Sequence, residues 1–151
     1  MSELPEAGEG KRGMEGHLGY LLRQAAQAHR NRVERALDDL GLTLPQFSVL
    51  TMLAAYPGHS NADLARLALL TPQTMSVIVA NLLKAALIAR APHQIHGRIQ
   101  KIVLTDAGQS LLDAAKRRVY ALETDMLGDL ADAEQAVIRQ WLVRIARPDA
   151  Q

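Results

Sequence analysis

Residues 60–105 read S-N-A-D-L-A-R-L-A-L-L-T-P-Q-T-M-S-V-I-V-A-N-L-L-K-A-A-L-I-A-R-A-P-H-Q-I-H-G-R-I-Q-K-I-V-L-T, and their spacing decides the fold. Ser60 opens an S-x-x-D pattern with Asp63. The hydroxyl takes an orphan N–H of a first helical turn, and the carboxylate suits the positive helix end. Leu64, Leu67 and Ala68 follow at helical spacing. Thr71-Pro72 restarts the chain, with Thr71 as N-cap and Pro72 at the first helical position, where no amide hydrogen is needed. Only Leu69 to Thr71 separate the two helices, a turn short enough to set them at a sharp angle and let one project into a groove. The second helix, Pro72 to about Ala85, is expected to bury Met75, Ile78, Val79, Leu82 and Leu83. After it, Leu87–Arg90 and Arg98–Leu104 read as strands joined by Ala91 to Gly97. The Ile99/Gln100 alternation and the Ile102-Val103-Leu104 run support strand, while Pro92 and Gly97 support the loop. The pattern is a helix-turn-helix with a two-stranded wing.

Outward from this centre, Thr43 caps a preceding helix with Pro45 in its first turn, and Phe47, Leu50, Leu53 and Ala54 on its buried side. Pro57-Gly58 ends it. Before that, a long helix begins near Gly16, with Leu18, Leu22, Ala25, Val33, Ala36, Leu37 and Leu40 on one stripe and Arg23, Arg30, Arg32 and Arg35 on the polar face. Gly41 is its natural stop. At roughly 25 residues, nearly 40 Å, this helix outruns a single small core, so part of it is expected to pack on another subunit. Thr105-Asp106 starts a second long helix carrying Leu111, Leu112, Ala115, Val119, Leu122 and Met126, which ends around Gly128. Asp132 is read as the cap of a final helix with Val137, Ile138, Trp141, Leu142 and Ile145 on one face, and Pro148 terminates it. The fold class is therefore mainly α with a small β wing. Residues 1–13 are a Gly- and Glu-rich disordered tail, 14–42 and 106–147 a helical dimerisation region, and 43–105 the winged helix-turn-helix.

Composition narrows the function. Hydrophobic residues make up 48% of the 151 residues and aromatics only 3%, so the core is aliphatic and favours helix. The chain has no cysteine, which removes disulfides, thiolate redox chemistry and cysteine-ligated zinc. No basic-then-apolar signal segment and no apolar run of about 18 residues occurs, and a cytoplasmic location with no membrane partner is the expectation. Net charge is +1, but its distribution is uneven. Residues 59–104 hold Arg66, Lys84, Arg90, Arg98 and Lys101 against Asp63, while 1–16 and 105–151 carry more carboxylates than cations. A basic middle between acidic flanks suits a phosphate-facing module.

The candidate contacts to double-stranded DNA follow. Thr71, Gln73, Thr74, Ser76 and Val77 lie at the start of the second motif helix, with Asn81 a turn later. Small polar groups and a branched methyl can address base edges, phosphates or a thymine methyl. Gln73, Thr74 and Ser76 are the expected reading residues. Arg98, with Arg90 and Lys101, places cations on the ribbon, which in such motifs falls over the phosphate backbone or minor groove. His17, Tyr20, Arg23 and Phe47 are candidates for a crevice between the first helices and the winged domain, where a cation and two rings suit an aromatic carboxylate. His93 and His96 form an H-x-x-H, but no cysteine or nearby carboxylate accompanies them before Asp106, so no metal site is expected and no cofactor is implied. No phosphate loop, nucleophile elbow or H-E-x-x-H is present, and no enzyme is expected.

The order of L-T-L-P-Q-F-S-V-L (Leu42–Leu50), D-L-A-R-L (Asp63–Leu67), L-I-A-R (Leu87–Arg90), the wing arginine Arg98 and L-T-D-A-G (Leu104–Gly108) resembles the MarR family of transcriptional regulators, over about residues 17 to 147. The resemblance implies a homodimeric winged helix-turn-helix repressor whose terminal helices intertwine. It also implies a small anionic, often phenolic, effector bound between the dimer and DNA domains. Two positions depart from the family pattern. Ala86 stands where glycine is usual, and His96 replaces the acidic partner of Arg98. The resulting expectation is a palindromic operator with half-sites one helical turn or a multiple apart, released by a small aromatic or phenolic ligand. The competing readings are a winged-helix module that docks proteins, consistent with the arginine-poor second helix, and an architectural DNA binder without effector.

Overall fold

The computed structural model describes residues 3–92 and 100–149. Helix α1 (Leu18–Leu37) runs into a 3-10 turn, Asp38–Leu40, and stops at Gly41 with φ 69°, a left-handed backbone that glycine adopts without a Cβ clash. Helix α2 (Leu44–Ala55) opens with a reciprocal cap. The Thr43 hydroxyl accepts from Gln46 N–H at 3.3 Å, and Gln46 Oε1 accepts from Thr43 N–H at 3.0 Å. Helices α3 (Asn61–Leu67) and α4 (Pro72–Lys84) form the helix-turn-helix, and β1 (Ile88–Pro92) pairs antiparallel with β2 (Gln100–Leu104). Helices α5 (Asp106–Leu127) and α6 (Asp132–Ala146) complete the chain. Among the described residues no single helix is long and apolar enough to cross a membrane.

One aliphatic cluster holds the winged domain to the helices that flank it. Val33 and Leu37 of α1, Phe47, Val49, Leu50 and Leu53 of α2, and Leu112, Ala115 and Val119 of α5 pack with Leu64, Ala65, Met75, Val79, Leu82, Ile88 and Ile102. The expected buried face of α4 is therefore inward, with Leu83 half-buried beside it. Arg118 of α5 adds a polar clasp across 79 residues of sequence: its guanidinium donates to Asp39 and, at 3.0 Å, to the Ala36 carbonyl at the end of α1. That bond holds the Asp39 carboxyl below the usual carboxylate range.

Several expectations shift. Pro92 belongs to β1 opposite Gln100 rather than to the loop; it ends a strand in a ribbon that has only edges, where a missing N–H is tolerated. Asp132 is the first residue of α6, not its cap. Ala131 precedes the helix, and Glu134 Oε1 accepts its N–H at 3.0 Å. The segment read as a disordered tail carries a 3-10 turn, Gly10–Arg12, tied to α1. Arg12 Nε donates to Gln24 Oε1 and Gln24 Nε2 donates to the Arg12 carbonyl, both at 3.1 Å. The turn buries nothing, so apolar content gave no sign of it. The predicted apolar stripes at the chain ends remain uncovered: Leu18 is 69% exposed, and α6 has no buried residue.

Candidate nucleic-acid interface

The projecting helix is built by local chemistry at both ends of the turn. The Ser60 hydroxyl accepts from Asp63 N–H at 3.2 Å and donates to Asp63 Oδ2 at 3.0 Å. This bond, with His59 alongside, keeps the Asp63 carboxyl below its ordinary range, so it stays charged at the positive end of α3. At the other end Leu69 turns left-handed with φ 59°. Leu69 N–H donates to the Arg66 carbonyl at 3.2 Å, and Leu70 N–H to the Ala65 carbonyl at 2.8 Å, the paired closure of a Schellman turn. Thr71 then caps α4, accepting from Thr74 N–H at 3.2 Å, with Pro72 in its first turn. The outcome is an angle of 106° between α3 and α4. Leu64, Ala65 and Ala68 share the core with Met75, Ile78 and Val79, so burial fixes which side of α4 faces out.

That outward side contains every helix residue expected to touch DNA: Thr71, Gln73, Thr74, Ser76, Val77 and Asn81 are all exposed. They are not equivalent. The Ser76 hydroxyl donates to the Pro72 carbonyl at 3.0 Å, and the Thr71 hydroxyl donates to that of Thr74, also at 3.0 Å. Both expected hydroxyl readers are thus engaged inside the first turns of the helix, a competition for backbone groups that spacing alone does not reveal.

The wing leaves α4 through a second left-handed residue, Ala86, with φ 58°. Ala86 N–H donates to the Leu83 carbonyl and Leu87 N–H to the Leu82 carbonyl, at 3.0 and 3.1 Å. The departure from glycine at this position therefore places a methyl where the backbone favours none. Thr105 joins the far end of the wing to α5. Its hydroxyl donates to the Ala86 carbonyl at 2.7 Å and accepts from Gly108 N–H at 3.0 Å, while its own N–H donates to the Leu87 carbonyl at 3.2 Å. A Cβ on Gly108 would lie 1.9 Å from that Leu87 oxygen. Glycine is needed here because backbone meets backbone.

Within the ribbon the register pairs Arg90 with Ile102 and Ala91 with Lys101. Period two then places Arg90 and Lys101 on opposite faces, so they do not form one cationic patch; Arg90 is exposed and Lys101 half-buried. Arg98, His93 and His96, with the rest of 93–99, lie outside the described residues.

The four effector candidates are only partly united. The Arg23 guanidinium sits 6.0 Å from the centre of the Tyr20 ring, within cation–π range. Both line a hollow of about 430 Å³ with Arg12, Gln24 and Asn31. His17 is the exposed residue preceding α1, and Phe47 is 8% exposed within the core. Phe47, packed in the core cluster, does not line that hollow. Arg12 was missed by the sequence reading, and its bond to Gln24, twelve residues on, leaves no periodic signal.

Comparison with known proteins agrees with this geometry. The sequence model of the MarR family matches residues 40–99. The HTH-type transcriptional repressor Rv2887 of Mycobacterium tuberculosis is 38% identical over 128 residues, 85% of this chain and 92% of the relative. The crystal structure of that MarR family protein with salicylic acid superposes with a TM-score of 0.71 at 36% identity, covering 88% of this chain and 98% of the other. Its complex with DNA gives 0.70 at 34% identity, covering 88% and 100%. With the capped helix-turn-helix, the antiparallel wing and the relatives in agreement, this chain belongs to the MarR family of transcriptional regulators.

Proposed function

We propose that the chain is a homodimeric repressor that reads a palindromic operator through α4 and is released by a small aromatic carboxylate or phenol. The observation that carries the reading is the exposed polar face of α4, held at 106° to α3 with its apolar side locked in the core. A second copy is the natural cover for the apolar surface at the chain ends. Leu18 on α1, Tyr120 and Met126 on α5, and Val137, Ile138, Leu142, Val143 and Ile145 on α6 are all exposed in the single chain, a concentration of large apolar side chains at the chain ends that a partner surface would cover. In a two-fold dimer the paired α4 helices enter successive major grooves. The Thr71, Gln73, Thr74, Ser76, Val77 and Asn81 face meets bases, while Arg90, Lys101 and Arg98 supply cations near phosphates. Such a regulator works beside the chromosome, in the cytoplasm.

Rv2887 has been crystallised with salicylic acid, and Arg23 beside Tyr20 offers a cation and a ring to a similar anion. The effector acts by population shift, binding the DNA-incompetent spacing of the two α4 helices more tightly than the competent one. The test is fluorescence anisotropy with duplexes selected from a genomic library, titrated with salt and with salicylate. Affinity is expected to fall steeply with salt and to weaken with salicylate, and sedimentation is expected to give a dimer. Arg98→Ala weakens binding to all sequences, whereas Gln73→Ala relaxes base preference. Retention of no duplex by the full-length protein at low salt overturns the reading.

A further inference from the structure

Resting on α4 as the DNA-reading helix, we infer that the half-site core is made of A·T pairs, read by Gln73 on adenine and by the methyls of Val77 and Ala80 on thymine. The argument is one of elimination on an observed face. Met75, Ile78, Val79 and Leu82 are buried, so at 3.6 residues per turn the line pointing straight outward is Gln73, Val77, Ala80 and Lys84. All four are exposed, Val77 by 60%.

Each base presents its own pattern in the major groove. Guanine offers two acceptors, O6 and N7, and is gripped by arginine or lysine; the first cation along α4 is Lys84, eleven residues beyond Gln73, or roughly 16 Å along the axis. Cytosine offers an N4 donor and is read by a carboxylate, and α4 contains no acid. Adenine offers an acceptor and a donor side by side, which a glutamine amide matches with two bonds. Thymine offers a methyl, which suits an apolar contact.

Of the hydroxyls that could blur this code, Ser76 donates its proton to the Pro72 carbonyl and Thr74 accepts from the Thr71 hydroxyl, so each is partly engaged within the helix. A branched apolar residue on the most exposed line of a helix adds nothing to the core. It fits a surface that meets a methyl group.

The experiment selects bound duplexes from a random pool with the full-length protein, then replaces single thymines in the half-site core by uracil, which lacks only the methyl. An A·T core is expected, with about fourfold weaker binding for each methyl removed from contact. Replacing the contacted adenine by 7-deazaadenine should weaken wild type and leave Gln73→Ala unaffected. Val77→Ala, which alters no buried contact, should weaken the preference for thymine over uracil at the position Val77 contacts and leave it unchanged at the position Ala80 contacts. A core guanine whose replacement by 7-deazaguanine weakens binding, or uracil substitution without effect at every core thymine, overturns the inference while leaving the DNA-reading function intact. Failure to retain any duplex overturns both.

Discussion

Ala86→Gly is expected to stabilise this protein, and the size of the gain follows from one backbone angle. Ala86 has φ 58° at the end of α4, where an L side chain costs about 1–2 kcal/mol relative to a right-handed conformation. Glycine removes that cost but loses more freedom on folding, a penalty of roughly 0.5–1 kcal/mol. Ala86 is exposed, so its methyl surrenders no core contact, and the two closing bonds from Ala86 and Leu87 are made by backbone alone. The net gain centres on about 0.75 kcal/mol, or about 2–3 °C in Tm for a chain of this size. Thermal unfolding at fixed protomer concentration is the assay, because a dimer's midpoint moves with concentration. A urea midpoint raised at constant slope confirms that the folded state gained. Ala86→Val, with a β-branched side chain at the same angle, should move both midpoints downward. A Tm for Ala86→Gly equal to or below that of the parent refutes the claim that this residue is strained.

Four further outcomes are expected. Gly108→Ala drives a Cβ into the Leu87 carbonyl and should destabilise by about 3 kcal/mol, the upper end for overpacking; a urea midpoint near that of wild type would mean that the α5–wing contact is looser than described. Thr71→Ala removes the α4 cap and should cost about 1 kcal/mol, read as a lower midpoint with the fold retained by circular dichroism. Asp39, whose carboxyl is lowered by the bond from Arg118, binds its proton more readily in the unfolded chain, so the clasp stabilises above the ordinary value of 3.8 and fades as pH falls below it. Arg118→Met should therefore flatten the acid limb of the stability curve, and parallel curves for the two proteins would dismiss the clasp. Ile138→Glu on exposed α6 should sediment as a monomer where the proposed dimer is expected of the parent; a dimer in the variant would put the interface elsewhere.

The sequence by itself determined four of the helix starts and the buried side of α4. Ser60, Thr71, Thr43 and Thr105 each cap a helix by accepting from the N–H three residues on, a contact that spacing alone specifies. The buried line Met75, Ile78, Val79 and Leu82 was legible for the same reason, since periodicity of 3.6 leaves only one apolar face. Tertiary structure decided the rest. It paired Arg118 with Asp39, left Phe47 out of the hollow that Tyr20 and Arg23 line, and put Arg90 and Lys101 on opposite faces of the ribbon. It also laid Arg12 against Gln24 and pressed Gly108 against the Leu87 carbonyl. Even within α4, the engagement of the Thr74 and Ser76 hydroxyls depended on side-chain rotation rather than on residue type. Caps that accept a backbone N–H three residues on are set by backbone geometry that the local sequence dictates. Contacts across twelve or eighty residues exist only once the aliphatic core has chosen how the helices cross.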